Sequence, residues 1–383
     1  MKIVALYLPQ FHNIPENDEW WGDGFTEWVN VKKAKPIFEG HHQPKVPLNN
    51  NYYDLLNDDV KIWQAQIAKE HGIYGFCYYH YWFNGKLLLE RPMEQMLKNK
   101  AIDMPFCISW ANEPWTKAWV NEERKVLIPQ SYGGPEEWKE HFNYLLPFFK
   151  DDRYITVNGK PLFVIYRPNV ISCMKDMIDE WNKLAISEGL PGICFAYQQG
   201  ECDWNNDPLA EKFDYDIEFQ PMYARHDMLS SKKGLLSNIK AARRKIATFI
   251  EKRFGIDLLR IGAAKMRKIT KTNFLSYDDI WQTILSSKPV RKNSIPGAFV
   301  RWDNTPRYGE NAQIIRGETP EKFEKYMTAQ IKKAKEDYST DLMFIYAWNE
   351  WAEGGYLEPD EEYGNAYLEA IRNALKANDE FPW

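Results

Sequence analysis

The chain has 383 residues, enough for one large core, and its 49 Lys plus Arg against 54 Asp plus Glu leave a net charge of −5. That balance gives no overall basic character for nucleic acid, and no apolar run approaches the length a membrane-spanning helix needs. Aromatic residues make up 15%, with 16 Trp and 22 Tyr, while the five cysteines are scattered without C-x-x-C spacing, as expected for reduced, buried thiols.

The first predicted strand covers residues 2–8. Its apolar stretch is too short for a secretory leader and no small-residue cleavage site follows, so a buried strand and a cytoplasmic setting are expected. Further strands are predicted at 72–79, 104–110, 161–166, 192–197, 214–219, 296–301 and 341–348. Helical patterns lie between them at 60–71, 136–150, 171–188, 320–337 and 362–377; Trp138, Phe142, Leu145 and Phe149 show the three- and four-residue spacing. Apolar strands alternating with helices indicate a parallel sheet covered by helices. Eight such units predict an α/β fold, a (β/α)8 TIM barrel forming a single catalytic domain over 1–383, with enlarged loops after the strands. A doubly wound sheet fits less well, because Pro9-Gln10-Phe11-His12 stands where its glycine-rich phosphate turn would be.

One segment departs from the pattern. Between Lys232 and Lys271 there are 13 Lys plus Arg against Glu251 and Asp257. The stripe Leu235, Ile239, Ala242, Ile246, Phe249 and Ile250 makes this a basic amphipathic helical insertion, spanning 224–275. It reads as a solvated helix on the barrel rim, or as a contact for an anionic membrane surface or an acidic glycan.

Chemistry in a barrel gathers at the C-terminal strand ends, and the polar-aromatic clusters fall there. Trp348-Asn349-Glu350-Trp351-Ala352-Glu353-Gly354-Gly355 places two acids three positions apart among indoles. Paired carboxylates are the minimum equipment for cleaving a glycosidic bond. On a straight strand these two would face opposite sides, so they converge only if the chain leaves the strand near Trp351, where Gly354-Gly355 makes a turn plausible. Burial against Trp348 and Trp351 is expected to raise a carboxyl pKa. Asn112-Glu113-Pro114 adds a third acid, fit for proton transfer or for binding sugar hydroxyls. His12 and His80 stand at strand ends, where substrate contact and a buried hydrogen-bonded role both fit. Together the clusters nominate Tyr7, His12, Trp28, Tyr79, His80, Trp82, Trp110, Asn112, Glu113, Trp115, Gln220, Trp302, Asp303, Trp348, Asn349 and Tyr356 as substrate contacts. No metal-ligand spacing and no cofactor motif is found; Asp214-Tyr215-Asp216 flanks a strand and reads as capping or a salt bridge.

The ordered blocks Tyr7 to His12, Trp20 to Trp28, Tyr79 to Phe83, Ser109 to Glu113, Trp302 to Asn304 and Trp348 to Asp360 resemble the WbsX-type family of bacterial polysaccharide-locus proteins. That family is similar in turn to glycoside hydrolase family 99. Pro114 replaces an Asn common in WbsX-type chains, and the basic insertion has no counterpart. The resemblance implies a (β/α)8 barrel and retaining, endo-acting cleavage of α-mannoside-like linkages in a surface polysaccharide such as O-antigen, or in its precursor. It also implies Glu353 as general acid and Glu350 as the base that assists a sugar 2-hydroxyl. Transfer rather than hydrolysis stays open, since WbsX-type chains are commonly labelled glycosyltransferases, as does a non-catalytic glycan-binding role.

Overall fold

The computed structural model describes residues 1–116, 126–200, 204, 207–231 and 273–383. The predicted basic insertion lies outside the described residues over 232–271, as does Cys202; a helix, Met222–Ser231, and a strand, Asn273–Ser276, flank that stretch.

Parallel strands form a barrel. They are β1 (Lys2–Tyr7), β2 (Ile73–Phe83), β3 (Phe106–Trp110), β4 (Lys160–Ile165), β5 (Cys194–Gln199), β6 (Tyr215–Glu218), β7 (Ser294–Ile295 with Gly297–Phe299) and β8 (Leu342–Tyr346). Neighbours in sequence are neighbours in the sheet from β1 to β6, and β8 returns to pair with β1.

Closure falls to β7, which consists of two segments, Ser294–Ile295 and Gly297–Phe299, on either side of Pro296. Proline cannot donate to a ladder and is confined to edges and breaks in a sheet. Here it divides the strand's loyalties: the first segment pairs with β6 and the second with β8. Its carbonyl still accepts the Phe344 N–H at 3.1 Å. Gly297 passes so close to β6 that a Cβ would lie 1.7 Å from the Glu218 carbonyl oxygen.

Helices cover the outside of the barrel, among them Asp58–Glu70, Arg91–Lys98, Pro135–Phe149, Met174–Ser187, Tyr277–Ser286, Pro320–Asp337 and Ala366–Ala377. The Asn57 and Thr319 side chains cap two of their N-termini, and Pro320 follows at the first helical position. Trp181 and Trp281, both fully buried, fill the space between helix and strand against Phe163 and Phe299. Cys77, Cys107 and Cys194 are buried in strands; with half-buried Cys173 they are free thiols. Among the described residues no helix is long and apolar enough to cross a membrane.

Candidate active site

Beyond β8 the chain forms a two-residue strand, Asn349–Glu350, makes a single tight turn over Trp351–Glu353, and returns antiparallel as Gly355–Tyr356. Gly354 holds the turn at φ +64°, and a Cβ there would lie 2.9 Å from the Asp303 backbone nitrogen. Both facts demand glycine. The turn brings Glu350 and Glu353 to the same side, where one guanidinium meets both. Arg307 Nη1 donates to Glu353 Oε1 at 2.5 Å, and Nη2 to Glu350 Oε2 at 3.4 Å. Nη2 also reaches Glu27 Oε2 at 3.2 Å, so a third carboxylate joins the pair.

Each partner is delivered by a different loop. Glu27 opens the helix Glu27–Lys33 that follows β1, and Arg307 lies in the short helix Thr305–Tyr308 after β7. Asp303 fixes the Arg307 turn. Its Oδ1 accepts from the Thr305 backbone N–H and hydroxyl, and its Oδ2 accepts from Gln43 Nε2 at 2.6 Å and lies 2.8 Å from His41 Nε2. Asp303 is thus bonded within the loops, one step removed from the acids.

Below the acids, aromatic rings from the ends of alternate strands, β2, β4, β6 and β8, form a floor. Tyr79 meets Tyr166 edge-on, Tyr166 meets Phe219, Phe219 meets Tyr346, and Trp302 packs on Tyr346 at 5.3 Å. The Tyr346 hydroxyl donates to Glu353 Oε2. Gly355 makes that possible, because a Cβ there would stand 2.3 Å from the Tyr346 ring. Gly355→Ala is therefore expected to cost about 1–3 kcal/mol, and next to nothing in a Tyr346→Ala background. Urea denaturation of the four proteins checks this; an equal cost in both backgrounds would refute the seating role.

The other nominated residues divide by strand alternation, since successive side chains of a strand face opposite ways. On β2, Tyr79 and Tyr81 face the barrel mouth. His80 and Trp82 face the helix Pro135–Phe149, where His80 Nε2 lies 2.9 Å from His141 Nε2 and Trp82 stacks on His141 at 4.5 Å. Tyr7 likewise points outward and donates to Gln64 of the helix Asp58–Glu70. Trp110 packs edge-on against His141, and Trp348, fully buried, against Phe76. Trp28 donates to the Tyr53 carbonyl and Tyr356 stacks on Trp351. The structure moves these seven out of the cleft and into the core.

Two asparagines pin neighbouring loops. Asn112 bonds the Arg167 backbone through both amide atoms, and Asn349 does the same to Leu8. Gln220 accepts from the Ala224 N–H, and His12, 1% exposed, contacts the Pro9 carbonyl. Burial lowers the His12 pKa to about 4, keeping the ring neutral. Glu113 pairs with Arg167 at 2.8 Å. Trp115 stands half-exposed on the rim, edge-on to Trp20 and Tyr81. Asp214 and Asp216 are bonded to the Phe195 N–H and to the Ser294 hydroxyl.

Sequence reasoning passed over Glu27, Arg307, Tyr346, Tyr166 and Phe219. Glu27 and Arg307 stand inside or beside the ordered blocks, but a single charge in a loop carries no periodicity. Tyr346 and Phe219 read as ordinary strand residues.

Burial pushes Glu350 up to about 8; Arg307 opposes this, while Glu353 and Glu27 add to it. The upward displacement expected for a carboxyl of this motif is found on Glu350. Burial also raises Tyr346 well above its usual value, so its hydroxyl keeps the proton it donates. Behind the turn, Glu358 accepts from Tyr53, Gln64 and Trp351, and burial raises it to about 7.

The model of the Glycosyltransferase WbsX family matches residues 3–371. The chain belongs to this family. It is 34% identical over 376 residues to the protein WxcX of Xanthomonas campestris pv. campestris, in two strains; the match covers 97% of this chain and 49% of the relative. This WbsX-family chain thus spans about half the length of the curated relatives it matches. Among solved structures, the GH99 endo-alpha-mannosidase from Bacteroides thetaiotaomicron aligns at TM-score 0.53 and 15% identity, covering 99% of this chain and 97% of that one. A glycoside hydrolase-like protein aligns at TM-score 0.54 and 11% identity, covering 97% and 93%. At such identities the likeness establishes the shared fold alone, a glycoside hydrolase-like barrel.

Proposed function

We propose that this chain cleaves internal α-mannoside-like linkages of a bacterial surface polysaccharide, or of its precursor, with retention of configuration. The observation that carries the reading is the pair Glu350 and Glu353 on one buried guanidinium, above an aromatic floor at the barrel mouth. In this reading the proton that the pair holds on Glu350 passes to Glu353 as substrate binds, and Glu353 gives it to the leaving glycosidic oxygen. Glu350 takes the proton of the 2-hydroxyl, whose oxygen then displaces the leaving group and closes a 1,2-anhydro ring. Water opens that ring at the anomeric carbon and the protons return. Neither carboxylate needs to touch the anomeric carbon, and a 2-hydroxyl trans to the leaving group favours manno configuration. The ring faces of Tyr79, Tyr166 and Trp302 suit the C–H faces of sugars, and Glu113 and Trp115 stand on the same rim.

The test is release of reducing ends from α-mannans and O-antigen preparations by wild type, Glu350→Gln and Glu353→Gln. Each variant is expected to lose roughly 10²–10⁴-fold in rate, the usual worth of one proton-transferring group. Equal product from all three would end the proposal.

Transfer is the second reading, favoured by the family's description as glycosyltransferases. The same acid pair would pass the sugar to an acceptor hydroxyl instead of water. A nucleotide sugar that raises the melting temperature would favour it over hydrolysis.

A further inference from the structure

One guanidinium facing one carboxylate makes an ion pair; among the described residues Arg307 faces three. Its contacts to Glu27, Glu350 and Glu353 are all within 3.4 Å, and the four side chains are between 6% and 17% exposed. If all three acids ionised, two negative charges would exceed what Arg307 offers among the described residues, in a largely buried site. Like charges held this close suppress one another's ionisation. A surplus of buried charge also works against folding, so its presence points to use of the site and not to fold stability.

The three acids are not equivalent. Glu27 is separate from the turn that carries the other two. It is met by donors, Arg307 Nη2 on one oxygen and Asn30 Nδ2 at 3.5 Å on the other. Among the described residues, the charges felt by Glu350 include Arg307, Glu353 and Glu27, and the hydroxyls of Tyr79, Tyr81 and Tyr346 stand near it. Within that set Arg307 supplies the positive charge, and Glu27 the further negative one.

We propose that Glu27 is a positioning residue of the acid–base site, its negative charge compelling Glu350 and Glu353 to hold one proton between them at neutral pH. Glu27 reaches no sugar in this role. It occupies half of the Arg307 charge that would otherwise let both acids ionise, and so keeps the site loaded with the proton that departure of a glycosidic oxygen consumes. The upward push on Glu350 agrees with this arrangement. The proposal rests on the glycosidase reading only for the use made of that proton.

The measurement reads the proton itself. Protein carrying glutamate labelled with carbon-13 at the carboxyl is titrated by NMR, with the Glu350 and Glu353 signals assigned from their Gln variants. In wild type one of the two is expected to titrate near neutrality. Glu27→Gln lowers that midpoint by about one pH unit, a tenfold change in proton affinity. Glu27→Asp, which keeps the charge but withdraws it by one methylene, falls between the two. The same midpoint in all three proteins overturns the proposal, as does a rise in Glu27→Gln. Should Glu27→Gln fail to fold, Glu27→Asp decides alone: a lowered midpoint supports the proposal and an unchanged one refutes it. If none of the proteins cleaves a glycan, the glycosidase reading falls, while the midpoints still support or refute the role of Glu27.

Discussion

Arg307→Met is expected to destabilise the protein by about 3–5 kcal/mol near neutral pH, the range found when one partner of a buried ion pair is removed. The substitution preserves most of the volume and deletes the cation that Glu27, Glu350 and Glu353 share. The loss should depend on pH in a definite direction. Glu350 already titrates above its unfolded value, so its ionised form opposes folding, and that opposition grows as pH rises from the ordinary carboxylate range toward about 8. Removing Arg307 raises Glu350 further, because attraction is lost while repulsion stays. Glu350 is protonated in both folded proteins well below that pH, so its share of the difference from wild type opens only as pH rises through about 8. Urea denaturation at pH 6 and pH 9 checks the claim. An equal loss at both would show that Arg307 serves packing and not charge.

Gly297→Ala is expected to be as damaging for a different reason. The added carbon would lie 1.7 Å from the Glu218 carbonyl, which is backbone and cannot rotate away. Relief requires the two strands to part just where β7 passes from β6 to β8. A loss of ~3 kcal/mol or more follows from overpacking of this severity. The loop after β7 carries Asp303 and Arg307, so disorder at the closure also reaches the acids. An unchanged urea midpoint would mean that the barrel closes in another way.

The barrel was legible because its strands are apolar throughout and its helices are amphipathic, two signals that survive without an alignment. All eight strands lie within a few residues of their predicted places. The misjudged boundaries have physical causes. Residues 80–83 look like a polar-aromatic cluster, yet Tyr, Trp and Phe suit a strand, and β2 runs on to Phe83. The strand predicted from Pro296 onward begins two residues earlier, because its first segment pairs with a different neighbour. The last helix begins at Ala366, after a turn closed between Asp360 and Gly364.

The candidate site was legible in part. A pair of acids beside glycines marks a turn, and a turn is local. The cation that joins the pair comes from 43 residues upstream and the third acid from 280 residues before that cation, distances that no periodicity spans. An aromatic cluster on a strand is also not one unit, because the pleat sends alternate side chains to opposite faces. His80 and Trp82 belong to the helix layer, while their neighbours Tyr79 and Tyr81 belong to the mouth.

That alternation along the end of β2 separates two kinds of evolutionary change within one short segment. If the mouth takes a glycan as proposed, a lineage can alter at positions 79 and 81 which one is accommodated while the interior stays intact. At 80 and 82 it can revise the fit between barrel and helix without a change of diet. Specificity and durability are thus adjusted on interleaved letters of the same word, and drift in one leaves the other readable.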